Sequence, residues 1–191
     1  MAVKIGCVVM AAGNARRFGE NKLLEQWQGR SLIRRALDAV PMKELSEVVV
    51  VSRYPAVLEM AREYCFRAVE NPCPDLGASH TVALGVQALS HCDGILFMVA
   101  DQPMLRRSTV ADLVGFFREE PERIAALAHE GQRGNPCLFP RRFFPELLAL
   151  EGDRGGSAVI RRHPEALRLV ECRAEELADV DTREDLAALG E

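Results

Sequence analysis

Met10-Ala11-Ala12-Gly13-Asn14-Ala15-Arg16-Arg17-Phe18-Gly19-Glu20-Asn21-Lys22 is the stretch on which the fold of this chain turns. It leaves an apolar run, Ile5 to Met10, that reads as a buried first strand. Small residues let a backbone come close to a ligand, and free N–H groups in such a turn hold phosphate oxygens. Arg17 and Lys22 add two cations beside those donors, one a planar fork and one a point charge. The stretch therefore reads as a polyphosphate cradle at the end of a first strand, with an ordinary strand-to-helix loop as the plainer alternative. Two commoner phosphate loops do not fit. The dinucleotide fingerprint needs a second glycine where Ala15 stands, and the P-loop needs Lys directly after a glycine, whereas Glu20 and Asn21 separate Gly19 from Lys22.

Outward from this loop, strands and helices alternate. Ser31 is placed to cap a helix running through Val40, with Leu32, Ile33, Ala36 and Leu37 turned inward. Glu47 to Ser52, with four consecutive valines, reads as a second buried strand, and Tyr54 to Tyr64 as a helix. Phe66 to Val69 reads as a third strand, Ser79 to Leu89 as a helix, Ile95 to Ala100 as a fully apolar fourth strand, and Thr109 to Arg118 as another helix. Beyond residue 120 the pattern is less regular. Ile124 to Ala128 and Pro136 to Phe139, around a Gly131–Gly134 turn, suggest a hairpin-like excursion. Phe143 to Leu150 suits a helix, Leu167 to Val170 a short strand, and Thr182 a cap for a closing helix over Leu186 and Leu189. The expected fold is α/β: a single domain over residues 1–191, a Rossmann-like three-layer sandwich with a mostly parallel sheet, helices on both faces and a less regular C-terminal third. Ligands of such sheets sit at the carboxyl ends of the strands, where the opening loop falls.

Composition narrows the function classes. The chain has 191 residues, is 48% hydrophobic and carries a net charge of −4, so it can bury a core but lacks a basic field for nucleic acid. Its first 37 residues nevertheless hold seven Lys or Arg against Glu20 and Glu25. A solvated helix face explains Arg34 and Arg35 equally well, so only the loop cations bear on function. The run Ile5–Met10 is too short to span a membrane and leads into a charged loop rather than a cleavage site. The six cysteines have no zinc-like spacing, and reduced thiols in the cytoplasm are the natural reading. Cys73, in a polar turn, is the thiol to watch for reactivity, with an inert surface cysteine the plainer reading.

Three further regions carry chemistry. Asp101, in Asp101-Gln102-Pro103 directly after the fourth strand, points into the crevice of the opening loop. Magnesium takes one or two carboxylates plus waters and phosphate oxygens, so one Asp suffices chemically. Asp181, in Asp179-Val180-Asp181-Thr182, is a candidate second metal carboxylate, a helix cap or part of a solvated acidic end. Gly77 and Ser79 open a helix whose free N–H groups and hydroxyl can read a base edge or a ribose. His80 beside them reads as an exposed helix histidine. Gly134-Asn135-Pro136 and Gly152-Asp153-Arg154-Gly155-Gly156 are turn signals that need no function of their own.

The opening stretch resembles the nucleotidyltransferase signature A-A-G-x-x-x-R-x-G-x-x-K, matched by Ala11, Ala12, Gly13, Arg17, Gly19 and Lys22. More narrowly it is similar to the branch holding molybdenum cofactor cytidylyltransferase and its guanylyltransferase relative, with a nucleotide-diphospho-sugar transferase-like fold. The resemblance implies that residues 11–15, including Asn14 and Ala15, wrap a triphosphate whose charge Arg17 and Lys22 neutralise. It makes the D-x-P at Asp101 a magnesium motif and matches D-[IV]-D-T at Asp179 to Thr182. It also implies nucleotide contacts from Asn71, Gly77 and Ser79. Asn135, Pro136, Asp153 and Arg154 fall in segments resembling the acceptor motifs G-[HN]-P and G-D-x-G-A-R. The sequence departs from the family at Ala15, usually Ser or Gly, at His80, usually Leu, and at Gly156-Ser157, where Ala-Arg is expected; Arg154 or Arg161 then becomes the candidate for the missing charge.

The expected reaction is attack by a terminal phosphate of the acceptor on the α-phosphorus of a nucleoside triphosphate, with release of pyrophosphate. A phosphate nucleophile is already ionised, so no general base is needed. Catalysis is then alignment and charge stabilisation by Arg17, Lys22 and magnesium on Asp101. By resemblance, Ala12 favours CTP, because the guanylyl branch carries glycine there and a Cβ leaves less room for a purine. The acceptor implied is a molybdopterin-type cofactor, and a molybdenum hydroxylase is the implied partner. Two alternatives stay open: the same chemistry on another phosphorylated acceptor or with GTP, and a non-catalytic chaperone that carries the cofactor to the hydroxylase.

Overall fold

The computed structural model describes residues 3–13 and 21–190. The chain opens with β1 (Ile5–Ala11), then a small hairpin of β2 (Gln26–Trp27) and β3 (Arg30–Ser31), and α1 (Leu32–Asp38). There follow β4 (Glu47–Ser52), α2 (Pro55–Glu63), β5 (Arg67–Glu70), α3 (Ala78–Ala88), β6 (Gly94–Val99) and α4 (Arg107–Glu119). The remainder is β7 (Ile124–His129), β8 (Gln132–Pro140), α5 (Phe144–Leu148), α6 (Ser157–Arg162), β9 (Leu167–Glu171) and α7 (Arg183–Ala188). Seven strands form one sheet in the order β5-β4-β1-β6-β8-β7-β9. Only β8 runs against its neighbours. The sheet is therefore mostly parallel, and β1 lies at its centre between β4 and β6.

Strand periodicity explains why both faces are covered. Cys7, Val9 and Ala11 of β1, Val48 and Val50 of β4, and Leu96 and Met98 of β6 turn to one face, against Ile33 and Leu37 of α1, Val57 of α2 and Leu113 and Phe117 of α4. The alternate residues Val8, Val49, Val51, Ile95 and Phe97 turn to the other face, against Val82 and Val86 of α3, Phe144 and Leu147 of α5 and Val159 of α6. A strand buried on both faces has no polar side to show. This accounts for the unbroken valines of β4.

Three local expectations are corrected. The hairpin beyond residue 120 is no excursion, since β8 inserts into the sheet beside β6 and β9 then extends it from β7. Its turn is Glu130-Gly131, both with positive φ as a two-residue hairpin requires, so Gly134 sits within β8 rather than in the turn. Ser31 stands at the N-cap of α1 but makes no cap bond, and its Oγ is buried without a partner among the described residues. The helix α6, Ser157–Arg162, has no sequence signal of its own, since it is short and follows a glycine-rich turn.

The loops at the carboxyl ends of the parallel strands are tied to one another. Ser52 Oγ donates to the Ala11 carbonyl at 2.8 Å and Tyr54 Oη to the Gly13 carbonyl at 3.2 Å, which fastens the exit of β1. Gly77 has φ +86°, and a Cβ there would stand 2.4 Å from the Gly152 carbonyl oxygen. Only glycine accommodates both that backbone and that approach. At the end of the chain, Thr182 and Asp185 form a capping box that starts α7. Trp27, Leu32 and Val180 pack there with Leu186 and Leu189, and Trp27 Nε1 donates to the Gly190 carbonyl at 2.7 Å.

Two outcomes follow. Gly77→Ala destabilises the protein by about 1–3 kcal/mol, read by urea denaturation, because the substitution meets both backbone strain and overlap. Asp185→Ala lowers the melting temperature near neutrality. Hydrogen bonding to the Thr182 side chain and to the Asp181 and Thr182 N–H groups holds the Asp185 carboxyl below its ordinary pKa. Its stabilisation is present above the ordinary carboxylate pKa and is lost as pH falls through the depressed value. The gap between the two melting curves therefore closes in acid.

Candidate active site

Lys22 begins a short 3-10 turn, Lys22–Leu24, that Asn21 caps by accepting from Leu23 N at 3.2 Å. From there its Nζ donates to Asp101 Oδ2 at 2.8 Å, to the Val180 carbonyl at 2.8 Å and to Asp181 Oδ1 at 3.0 Å. Three donors meet three acceptors, so the ammonium is fully satisfied. Burial opposes its charge, but the Asp101 carboxylate beside it and the bonds to Asp101 and Asp181 outweigh burial and raise its pKa. Lys22 therefore stays protonated through the neutral range.

Asp101 arrives because it follows β6, and Asp181 because the segment before α7 is stitched onto the loop after β6. Val180 N donates to the Asp101 carbonyl at 2.9 Å, Gln102 Nε2 to the Leu177 carbonyl at 3.2 Å, and Arg106 N to the buried Glu176 carboxylate at 3.1 Å. Asp179 lies in the same stitch. Burial, and then the Asp101 charge, push its carboxyl up to about 6, while a hydrogen bond from Gln102 pulls the other way.

Lys22, Asp101 and Asp181 stand in the wall of a cavity of about 490 Å³. Ala11, Ala12 and Gly13 form a second part of that wall, and Gly77, Ala78 and Thr81 a third. Asp153 also lines this cavity, although the resemblance had grouped it with acceptor residues. Its position follows from the tight contact of Gly152 with Gly77. Asn14, Ala15 and Arg17 lie outside the described residues.

Two expected nucleotide contacts stand behind the wall rather than in it. Asn71 is buried, its Oδ1 accepting from Cys73 N at 3.0 Å and its Nδ2 donating to Thr81 Oγ1 at 3.1 Å. The side chain holds the turn and a cavity-lining threonine. Ser79 is also buried. Its N–H donates to the Gly152 carbonyl at 3.1 Å and its Oγ to the Leu76 carbonyl at 3.4 Å, so the donors expected to be free are used within the fold. His80, expected to be exposed, is half-buried with Nε2 unpartnered among the described residues.

Asn135 lies apart from the main cavity, in a second groove of about 480 Å³ with Arg133, Ser157, Gln102 and Asp179. A smaller cleft that Asn135 and Ser157 share with Met10 and Ala78 joins the two. Pro136 follows Asn135 within β8, and Arg154 is exposed beside the Gly152 turn. Arg133, to which the sequence pattern assigns no role, also lines the second groove. Its Nη2 donates to Ser157 Oγ at 2.9 Å, which brings a guanidinium to the position where the family pattern has an arginine. A Cβ at Gly156 would stand 2.6 Å from Phe139 Cζ, so the Phe139 ring occupies the room that the usual alanine would need. The register shift of β8 against β7 between Arg133 and Cys137 means that simple alternation along the strand could not have signalled this contact.

Among the described residues no group of three His, Cys, Asp or Glu side chains surrounds one point. Asp101 and Asp181 do converge: each places an oxygen within 3.0 Å of the Lys22 ammonium, a cation already standing between them. Two hard carboxylate oxygens suit magnesium or manganese, which complete their shells with water and phosphate oxygens. The donor set fits a divalent ion. All six cysteines are free thiols, and burial pushes the Cys7 thiol far up. Among the described residues no helix is long and apolar enough to cross a membrane.

Comparison with known proteins agrees with this geometry. The model of the MobA-like NTP transferase domain matches residues 7–167. The purine catabolism protein PucB of Bacillus subtilis is 31% identical, over 93% of this chain and 92% of its own. A probable molybdenum cofactor guanylyltransferase of Bacillus subtilis is 25% identical, over 73% of this chain and 69% of its own. The structure of Rv0371c from Mycobacterium tuberculosis superposes with a TM-score of 0.81 at 22% identity, covering 99% of this chain and 98% of that one. Its complex with manganese gives 0.78 at 21% identity, with 98% of both chains covered. The family match spans most of the chain, from Cys7 within β1 through the loop after it and Asp101, and ends before Asp181. The chain belongs to the MobA-like NTP transferase family, and it is a nucleotidyltransferase.

Proposed function

We propose that this protein transfers CMP from CTP to the terminal phosphate of a molybdopterin-type cofactor, with release of pyrophosphate and with magnesium as the metal. The observation that carries the reading is the junction of Lys22, Asp101 and Asp181 in the wall of the cavity that Ala11, Ala12 and Gly13 also line. Arg17 completes the cationic side of the loop in this reading. The described lining residues include Asp75, Asp101, Asp153 and Asp181 against Lys22 alone, so a triphosphate needs further positive charge. Asp101 and Asp181 would hold a magnesium ion, which when bound neutralises phosphate charge. The manganese complex of Rv0371c accords with a divalent ion in this fold.

In the transfer, an oxygen of the acceptor phosphate forms a bond to the α-phosphorus as the bond from that phosphorus to the bridging oxygen breaks, and pyrophosphate leaves with the electron pair. Lys22 exchanges its bonds to the carboxylates for bonds to phosphate oxygens and keeps its proton, since its pKa is raised. Residues 11–13 and Gly77 keep backbone rather than bulk against the nucleotide. Ala12, nearly buried and lining the cavity, supports a pyrimidine by the volume of its methyl group. The acceptor draws support from the relative named as a molybdenum cofactor guanylyltransferase. A second reading, a carrier that hands the cofactor to a molybdenum hydroxylase, draws on PucB, a relative named for purine catabolism.

Pyrophosphate release, measured with each of four nucleoside triphosphates and with or without molybdenum cofactor, tests the reading. CTP with the cofactor gives the fastest release. Lys22→Ala and Asp101→Ala each lower it by about 100-fold or more while remaining folded by circular dichroism. Equal rates with CTP and GTP would remove the argument from Ala12. Near-normal release by either variant would overturn the assignment of the site, and tight binding of triphosphate and cofactor without release would favour the carrier.

A further inference from the structure

Asp181 reaches the junction from a part of the chain with a slight hold on the body of the protein. No residue of α7, which follows it directly, is fully buried. Among the described residues, its Leu186 and the adjoining Leu189 pack against neither face of the main sheet but against a third, smaller cluster of Trp27, Leu32 and Val180. Trp27 Nε1 donates to the Gly190 carbonyl at 2.7 Å, just beyond the end of α7. Arg35 of α1 donates to the Trp27 carbonyl from Nε at 3.1 Å and from Nη2 at 2.9 Å, and its guanidinium stands 4.2 Å from the centre of the ring. A guanidinium over an indole face is attracted to it, so α1 fixes the ring on which α7 rests.

Val180 carries this hold into the site. Its side chain is fully buried in the Trp27 cluster. Its carbonyl accepts from Lys22 Nζ at 2.8 Å, and its N–H donates to the Asp101 carbonyl at 2.9 Å. Met104, from the loop after Asp101, packs against the same cluster. Trp27 itself stands on the hairpin into which Lys22–Leu24 leads, and Leu32 N donates to the Glu25 carbonyl at 3.0 Å to tie that segment to α1. The cluster thus collects all three segments that meet at the ammonium. The two carboxylates differ in what fixes them. Asp101 follows β6, a strand paired on both sides. The Asp181 side chain is 58% exposed, and an exposed ion pair fixes little by itself.

We infer that Trp27 is a positioning residue: through Val180 and α7 it sets where the Asp181 carboxylate stands, and so how well the pair Asp101 and Asp181 takes a divalent ion. Trp27 is not among the residues lining the main cavity, so its effect on the ion runs through Asp181. This inference rests on the reading of Asp181 as a metal carboxylate.

The test titrates Mn2+ alone into the purified full chain, without nucleotide, and reads the free ion by electron paramagnetic resonance. Asp181→Asn weakens binding relative to the wild-type protein. Trp27→Ala, and Leu186→Ala from the α7 side of the cluster, each weaken it by about 10-fold or more, the usual cost of losing a group that orients a metal ligand. Trp27→Phe keeps a ring against Val180 and retains most of the affinity. Added to Asp181→Asn, Trp27→Ala causes no further loss, because the carboxylate it positions is gone, whereas a general loosening of the fold would add its own loss. Trp27 is the single tryptophan of the chain, so emission moving to longer wavelength in Leu186→Ala reports release of the ring, while circular dichroism reports that the fold remains. Wild-type affinity in Trp27→Ala and Leu186→Ala, together with a loss in Asp181→Asn, overturns the inference and leaves the metal reading standing. Additive losses in the double variant also overturn it. Equal binding by the wild-type protein and Asp181→Asn, or binding by neither, overturns the metal reading and the inference with it.

Discussion

One ammonium group holds the working end of this protein together. Lys22 Nζ draws Asp101 from the end of β6, and Asp181 with the Val180 carbonyl from a segment some 80 residues further on, to within 3.0 Å of a single point. Two carboxylates brought this close repel each other unless a cation stands between them. In the free protein that cation is a lysine. The same two oxygens form a donor set that fits a divalent ion. The raised pKa of Lys22 and the raised carboxyl of Asp179 belong to the same balance, in which opposite charges stabilise and like charges suppress one another.

Around that junction the fold supplies backbone where bulk would interfere. β1 ends in Ala11, Ala12 and Gly13, with its exit fastened by Ser52 and Tyr54. Gly77 and Gly152 meet backbone to backbone, which draws the turn before α6 over the entrance to α3 and puts Asp153 in the main cavity. The donors of Asn71 and Ser79 are spent in holding this arrangement.

Much of the architecture was legible along the chain. Uninterrupted apolar runs at β1, β4 and β6 have only one stable setting, a strand covered on both faces, and the helical spacing between them forces the crossovers of a parallel sheet. Thr182 announced α7 as a local cap, and the structure adds Asp185 to make it a capping box. Less was legible where pairing is non-local. The entry of β8 between β6 and β7 depends on which sheet edge is open, and no local pattern reports that. Ser31 sits at a cap position and makes no cap bond, a case in which burial overrode side-chain chemistry.

The sequence by itself determined the phosphate-loop pattern and the Asp that follows a central strand, because these depend on residue type at short spacing, and their resemblance to a nucleotidyltransferase signature implied the transferase class. Tertiary structure alone decided that Asp101 and Asp181 share one ammonium, that Asp153 lines the same cavity as they do, and that Arg133 reaches Ser157 across 24 positions of chain. A gap in a family pattern at Ser157 read as a missing charge. In the folded protein a neighbouring strand provides a guanidinium at the same point, since side chains on one face of a sheet meet neighbours that sequence distance does not reveal.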